Sequence, residues 1–311
     1  MTTLNVISLG ECMLEVQANG FGPAALSYGG DTFNTAVYLR RCSHPQDIAV
    51  AYATGLGLDP LSEKLMDEWR REGLELSFIR QIEGKLPGMY LIETDDQGER
   101  SFHFWRENSA ARSYFDTLLS PLEERVTDID CLYFSGISLA ILDANTRQRL
   151  FKLIRDLKNA GKHVVFDNNY RPRLWPSKEV TREVFEQAFS LASLLLITAD
   201  DHQAVFGLGS LEQATQHAQS FSTEEIVIKR GAFPTLVKPR GESTWASIAT
   251  QQVQTVVDTT AAGDSFAAGY LSRRLMGCKA EESVDFGNQL AARVIQHRGA
   301  IIPTAAMKDL M

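Results

Sequence analysis

His163-Val164-Val165-Phe166-Asp167 and Leu194-Leu195-Leu196-Ile197-Thr198 are apolar runs with a helical pattern at residues 179–191 between them. A short apolar run of this kind fits a strand buried on both faces. Two such strands joined by a helix form the crossover of a parallel sheet. The rhythm extends both ways. Upstream lie strand patterns at residues 4–10, 48–53 and 131–136 and helical patterns at 61–72 and 144–159; downstream come a helix at 211–222 and a strand at 226–229. Alternating strands and helices predict an α/β fold with a mainly parallel sheet covered on both sides.

Such sheets bind ligands beyond the carboxyl ends of their strands. That rule selects Gly10-Glu11, Gly136, Asp167-Asn168-Asn169-Tyr170-Arg171, residues 198–201 and Lys229-Arg230-Gly231. Two stretches interrupt the rhythm. Residues 12–17 alternate as a half-exposed strand does, and residues 88–94 and 100–106, with the turn Asp95-Asp96-Gln97-Gly98 between them, read as a β-hairpin that should pair with that strand. The hairpin holds too many aromatics for a purely solvated surface, so this small sheet is expected to cover a substrate or a partner subunit. Arg106 at its end is either a solvated arginine or the partner of a carboxylate or phosphate.

Two junctions lead from glycine into helices. In Val257-Asp258-Thr259-Thr260-Ala261-Ala262-Gly263-Asp264-Ser265-Phe266, a small-residue turn follows what reads as the end of a strand at 254–257 and opens a helix. Unpaired N–H groups and the positive end of the peptide dipole make such a start an anion site, and Asp264 adds a carboxylate beside it. A transferase needs a group to take a hydroxyl proton next to a phosphate. An acid favoured only by the helix dipole, in a turn kept small for tight packing, is the alternative. In Ser27-Tyr28-Gly29-Gly30-Asp31-Thr32-Phe33-Asn34, Asp31 and Asn34 lie on the first turn of another helix, where they cap it or hold the hydroxyls of a ligand.

With 311 residues, 44% hydrophobic and 23% charged, the chain can build a full core unaided. Its net charge of -8 argues against a nucleic-acid or anionic-membrane partner. Cys12, Cys42, Cys131 and Cys278 fit no metal spacing and read as buried thiols, and the six histidines form no zinc pair. No leader pattern or long apolar run is present, so a cytoplasmic protein is expected. There is no Gly-x-x-x-x-Gly-Lys loop, and Gly55-Leu56-Gly57-Leu58-Asp59-Pro60 fails the dinucleotide pattern at its proline.

With Gly29-Gly30-Asp31-x-x-Asn34 near its start and Asp258 to Phe266 near its end, the chain resembles the ribokinase-like carbohydrate kinase family, often called PfkB. The resemblance covers nearly the whole chain. It implies a ribokinase-like three-layer α/β/α sandwich, one catalytic domain over residues 1–311, with a small β-sheet lid from segments at about 12–28 and 86–107. Gly10-Glu11-Cys12-Met13, Pro87-Gly88-Met89-Tyr90, the aromatic run ending in Arg106, Asn169-Tyr170-Arg171-x-x-Leu174-Trp175 and Gln296-His297-Arg298-Gly299-Ala300 are similar to the 2-keto-3-deoxygluconate kinases of that family. The implied reaction is ATP-dependent phosphorylation of 2-keto-3-deoxy-D-gluconate to its 6-phosphate in Entner-Doudoroff-type catabolism. A fructokinase or ribokinase is the alternative within the family. A non-catalytic sugar or nucleotide sensor is the alternative outside it, and the presence of Asp264 speaks against that.

Carried onto this chain, the resemblance implies that Asp264 deprotonates the sugar hydroxyl while N–H groups of Ala261, Ala262 and Gly263 stabilise the transferring phosphoryl group. Gly30, Asp31, Asn34, Tyr90, Phe104, Arg106 and Arg171 would bind the sugar acid, the arginines taking its carboxylate. Lys229, Gly231, Gly263 and Asn288 would lie along ATP, with Mg2+ bridging the phosphates. The family's Asn-x-x-Glu element is replaced by Thr198-Ala199-Asp200-Asp201, leaving Asp201 as the metal-side acid. Phe104 stands where some sugar-acid kinases carry tyrosine, and Ala300 offers no polar group. A homodimer through the lids is expected because the aromatic hairpin has an exposed second face.

Overall fold

A computed structural model describes residues 3–18, 22–94 and 100–311. The chain begins β1 (Leu4–Leu9), β2 (Met13–Ala18), β3 (Ala24–Gly29), α1 (Asp31–Arg41), β4 (Ile48–Leu56), α2 (Pro60–Arg71), β5 (Ile79–Gln81), β6 (Met89–Thr94) and β7 (Arg100–Trp105). It continues α3 (Pro121–Glu124), β8 (Cys131–Ser135), α4 (Gly136–Ala140), α5 (Ala144–Asn159), β9 (His163–Asp167), α6 (Lys178–Leu191), β10 (Leu194–Thr198), α7 (Ala199–Phe206) and α8 (Leu211–Gln219). The last part holds β11 (Glu225–Arg230), β12 (Phe233–Lys238), β13 (Ala246–Ile248), α9 (Ala262–Arg274) and α10 (Ala280–Val294).

Among the described residues, nine strands form the main sheet in the order β13-β12-β11-β10-β9-β8-β1-β4-β5. Neighbours from β11 to β5 run parallel, while β12 and β13 are antiparallel additions at one edge. The central strands read as unbroken apolar runs because both faces are covered. Ile7, Leu132, Leu195 and Ile197 enter one core with residues of α5, α6 and α7, and Val6, Tyr133, Leu194 and Leu196 enter the other with residues of α1, α2, α9 and α10. Helix, sheet and helix make the three-layer sandwich. On one side Phe166 packs edge-on against Phe185; on the other Phe33 meets Tyr52 and Trp69 with centroids 5.3 and 5.0 Å away. The crossover helices start at the caps that their sequences carry: Asp59 accepts from Ser62 N, Asp143 from Thr146 N and Ser177 from Val180 N.

A separate four-stranded sheet has the order β3-β2-β6-β7. The expected pairing of the hairpin with the strand at 12–17 is present, with β2 parallel to β6. The proposed turn at Asp95 to Gly98 lies outside the described residues. Strand β3, helix α7, helix α10 and the antiparallel edge strands were not anticipated. The stretch at 254–257 is not a strand. Val257 N and Asp258 N both donate to Ile295 O, at 2.8 and 3.2 Å, so the segment is tied to the end of α10 rather than to a sheet. Cys12, Cys42 and Cys131 are buried as expected, whereas Cys278 is half-exposed; none is in a disulfide. No helix among the described residues is long and apolar enough to cross a membrane.

Candidate active site

From β1 the chain steps outward through β4 to β5, and it later returns to the other side of β1 with β8. The crevice beyond the carboxyl ends of these strands, where the order reverses, is the expected ligand site of an open α/β sheet. A cleft of about 1740 Å³ opens there. Pockets for one small ligand are typically about 300–1,000 Å³, so this one has room for two. Every residue given a role by the resemblance borders it: Gly30, Asp31, Asn34, Tyr90, Phe104, Arg106, Arg171, Asp201, Lys229, Gly231, Asn288, and Ala261 through Asp264; the strand-end residues Gly10, Glu11 and Gly136 do not.

The starts of α1 and α9 meet at its floor. Asn34 Nδ2 donates to Asp264 Oδ2 at 2.8 Å, and Thr35 Oγ1 donates to the Asp264 carbonyl at 3.3 Å. Asp31 Oδ2 accepts from Ser135 Oγ at 2.5 Å and from Asn169 Nδ2 at 2.6 Å, which ties α1 to the ends of β8 and β9. Asp167 Oδ2 takes Lys229 Nζ at 2.9 Å, linking the ends of β9 and β11. Three carboxylates and one ammonium thus form one electrostatic cluster. Burial, and next the Asp31 carboxylate, push Asp264 up to about 8, against the Asn34 hydrogen bond and the Lys229 charge.

The turn before Asp264 is strained. Ala261 has φ 61, the one non-glycine residue with positive φ among the described residues. A left-handed alanine costs roughly 1–2 kcal/mol, which helix packing must supply, since Ala261 sits in the core beneath α9. The N–H groups of this turn were expected to act together. Ala262 N, however, donates to Thr259 O at 3.2 Å and closes the turn itself. Of the three, the N–H groups of Ala261 and Gly263 have no backbone partner among the described residues and are left for an anion, and a Cβ on Gly263 would stand 3.5 Å from Lys229 Nζ.

Residues from α10, β12 and the segment after β13 give the cleft an apolar wall, with Val253, Val256, Ala291 and Ile295 on it. Asn288 fastens this wall, accepting from Thr235 Oγ1 at 3.1 Å and donating to Ala249 O at 3.2 Å. Gly231, at φ +60, makes the tight turn from β11 into β12. The small sheet contributes Tyr90 and Phe104, whose rings lie 5.6 Å apart, and the Tyr90 hydroxyl donates to Glu15 Oε2. Arg171 is half free, its guanidinium 3.7 Å from Asp201. Asp201 Oδ2 also accepts from Tyr170 N at 3.1 Å, and burial raises its carboxyl above the ordinary range despite Arg171.

Arg106 is neither solvated nor free. It is 7% exposed and donates through Nη2 to Glu11 Oε2, another buried group. Glu11, Asp167 and Asn169 were selected as strand ends but given no role, and Ser135 was not singled out. Their signal was position: each follows or ends a central strand.

The family model of the pfkB family carbohydrate kinases matches residues 4–307. The chain belongs to the pfkB carbohydrate kinase family. Among pfkB relatives, the 2-dehydro-3-deoxygluconokinase of Dickeya dadantii (strain 3937) is 42% identical over 309 residues, 99% of each chain. The crystal structure of a PfkB protein from Polaromonas sp. JS666 matches at TM-score 0.80 and 24% identity, over 95% of this chain and 96% of that one. A fructokinase with bound ATP from Xylella fastidiosa matches at TM-score 0.78 and 21% identity, over 97% and 94%. At that identity the two structures show the pfkB fold. The ribokinase-like sandwich with its smaller second sheet is therefore the fold of this chain.

Proposed function

We propose that this kinase transfers the γ-phosphoryl group of ATP to the terminal hydroxyl of 2-keto-3-deoxy-D-gluconate, giving the 6-phosphate and ADP. The observation that carries the reading is one cleft bordered by Asp264 beside an anion turn and, among its arginines, by Arg106 and Arg171. The Dickeya dadantii relative, similar end to end, supports it by name. A sugar acid carries a carboxylate that ribose and fructose lack, and planar guanidinium groups suit it.

Gly30, Asp31 and Asn34 hold the sugar's hydroxyls at the start of α1, while Tyr90 and Phe104 pack against its carbon chain. Asp264 takes the proton of the attacking hydroxyl as its oxygen bonds to the γ-phosphorus and the bond to the ADP oxygen breaks. Once ionised, Asp264 is a stronger base than an ordinary carboxylate because its pKa is raised. The N–H groups of Ala261 and Gly263, with Lys229, stabilise charge on the transferring group. Gly231, Asn288 and the apolar wall flank the nucleotide. Asp201 Oδ1 takes no hydrogen bond among the described residues, so Asp201 fits as the carboxylate facing a hydrated Mg2+. The metal, when bound, neutralises phosphate charge. The small sheet acts as the lid, formed by segments at about 12–28 and 86–107, and keeps water from the reaction. Two lids pair in a homodimer through the face that carries Trp105, 53% exposed. The reaction belongs in the cytoplasm, consistent with four unpaired cysteines.

A coupled assay of ADP release across 2-keto-3-deoxygluconate, gluconate, fructose and ribose tests the reading. It should show a clear preference for the keto-deoxy acid. Equal turnover of neutral sugars would favour a fructokinase or ribokinase, and no ADP with any sugar would favour a sensor.

A further inference from the structure

The chain crosses between its two sheets at four places: from β1 into β2, from β3 into α1, into β6, and out of β7. Glu11 touches all of them. It lies in the first crossing itself. Its carbonyl oxygen would be 2.1 Å from a Cβ on Gly30, in the second, and its Oε1 would be 2.6 Å from a Cβ on Gly88, in the third. Its Oε2 accepts from Arg106, in the fourth. Glu11 is 2% exposed, and a carboxylate that deep in the protein is costly unless a cation holds it.

The pair is only half satisfied. Glu11 Oε1 and Arg106 Nε have no hydrogen-bond partner among the described residues. A guanidinium has five N–H donors, and a buried one that spends a single contact on protein has donors left for another acceptor. Arg106 borders the cleft, so that acceptor can come from a ligand.

We infer that Glu11 is a positioning residue: it pins Arg106 where the small sheet joins the body, so that the guanidinium meets a substrate carboxylate in a fixed orientation. Glu11 touches no reacting atom. It sets the preference for acids over neutral sugars by removing the rotamer freedom of Arg106 before the substrate arrives. The inference rests on the sugar-acid reading above.

The test compares Glu11→Gln, Arg106→Met and the double variant in the full chain. For Glu11→Gln the KM for the sugar acid should rise about tenfold or more, as for loss of a charge-assisted contact, with the KM for ATP unchanged. The acid-to-neutral-sugar ratio of kcat/KM should fall with it. In the Arg106→Met background, Glu11→Gln should cause no further loss in that ratio and should raise Tm, because it removes a buried charge that has lost its partner. Should Glu11→Gln not fold alone, Glu11→Asp, one methylene too short to reach Arg106, carries the same expectation. A purely structural Glu11 would lower Tm and slow all sugars alike; an unmoved ratio, or additive losses in the double variant, overturns the inference. A wild type without acid preference is seen before any variant is made; it sinks the sugar-acid reading and the role of Glu11 with it. A wild type with that preference and an unmoved ratio sinks Glu11 alone.

Discussion

Asn34 donates to Asp264 across 2.8 Å, joining residues 230 positions apart. The bond fixes one carboxylate oxygen and leaves the other for a substrate hydroxyl. Asp264→Asn can still accept from Asn34 through its amide oxygen but cannot take a proton. Turnover should fall by at least ~10²–10⁴-fold, the usual contribution of a positioned base, while calorimetry still detects ATP binding. Near-normal turnover would remove Asp264 from the reaction.

The same variant should be more stable than the wild type. Asp264 has a folded-state pKa of about 8, above the ordinary carboxylate value. The folded protein therefore holds a proton that the unfolded chain gives up, and stability drops as pH rises from about 4 toward the folded value. Asparagine has no such proton. The Tm advantage of Asp264→Asn over wild type, followed by calorimetry, should grow from acid to mildly alkaline pH. An advantage that shrinks over that range would contradict the raised pKa.

Asp31 is the largest charged contributor to that rise, and Lys229 opposes it. The acid limb of kcat/KM for the sugar should move to lower pH in Asp31→Asn, beneath any loss of binding, and to higher pH in Lys229→Met. Lys229→Met also strips the buried Asp167 of its ammonium, so its Tm should fall below that of the wild type. An acid limb that stays in place in both variants would show that neither group acts on Asp264.

Gly30 has an extended backbone, φ 176, that any residue could adopt, so its requirement is space. Gly30→Ala would place a methyl against the Glu11 carbonyl, and one backbone must move. We expect a cost of about 1–3 kcal/mol, typical of overpacking, measured by urea denaturation, and a raised KM for the sugar. Unchanged stability would mean that the crossing between the sheets yields easily.

Trp105 follows Phe104 in β7 and so points away from the face that carries Tyr90. If that outer face joins two subunits, sedimentation should give a dimer for the wild type and a monomer for Trp105→Glu, with the fold intact by circular dichroism. A wild-type monomer at micromolar concentration rejects the pairing.

The central strands were legible because burial on both faces leaves no room for polar residues, and the bounds of β9 and β10 match the runs at 163–167 and 194–198. The stretch at 254–257 misled for the same reason in reverse. Val256 borders the cleft and the Val257 backbone is bonded to the end of α10, so neither belongs to a sheet. Strand β3 is mostly exposed, so no alternation announced it. The meeting of Asp31, Asn34 and Asp264 could be expected from the two glycine junctions, but the contacts of Asp31 with Ser135 and Asn169 depend on strand order, which local pattern does not encode. Arg106 was read as solvent or ligand contact because a partner 95 positions away is invisible to spacing.

Helix α1 buries Phe33, Ala36 and Val37 in the core it shares with α9, near the other end of the chain. On a ribosome adding about 5–20 residues per second, the apolar face of α1 waits roughly 10–50 s for α9 to be made. During that interval it is an exposed sticky surface on a nascent chain, one that a chaperone would have to shield. Activity then arrives late and all at once, since the base and the groups that hold the sugar come from opposite ends of the message.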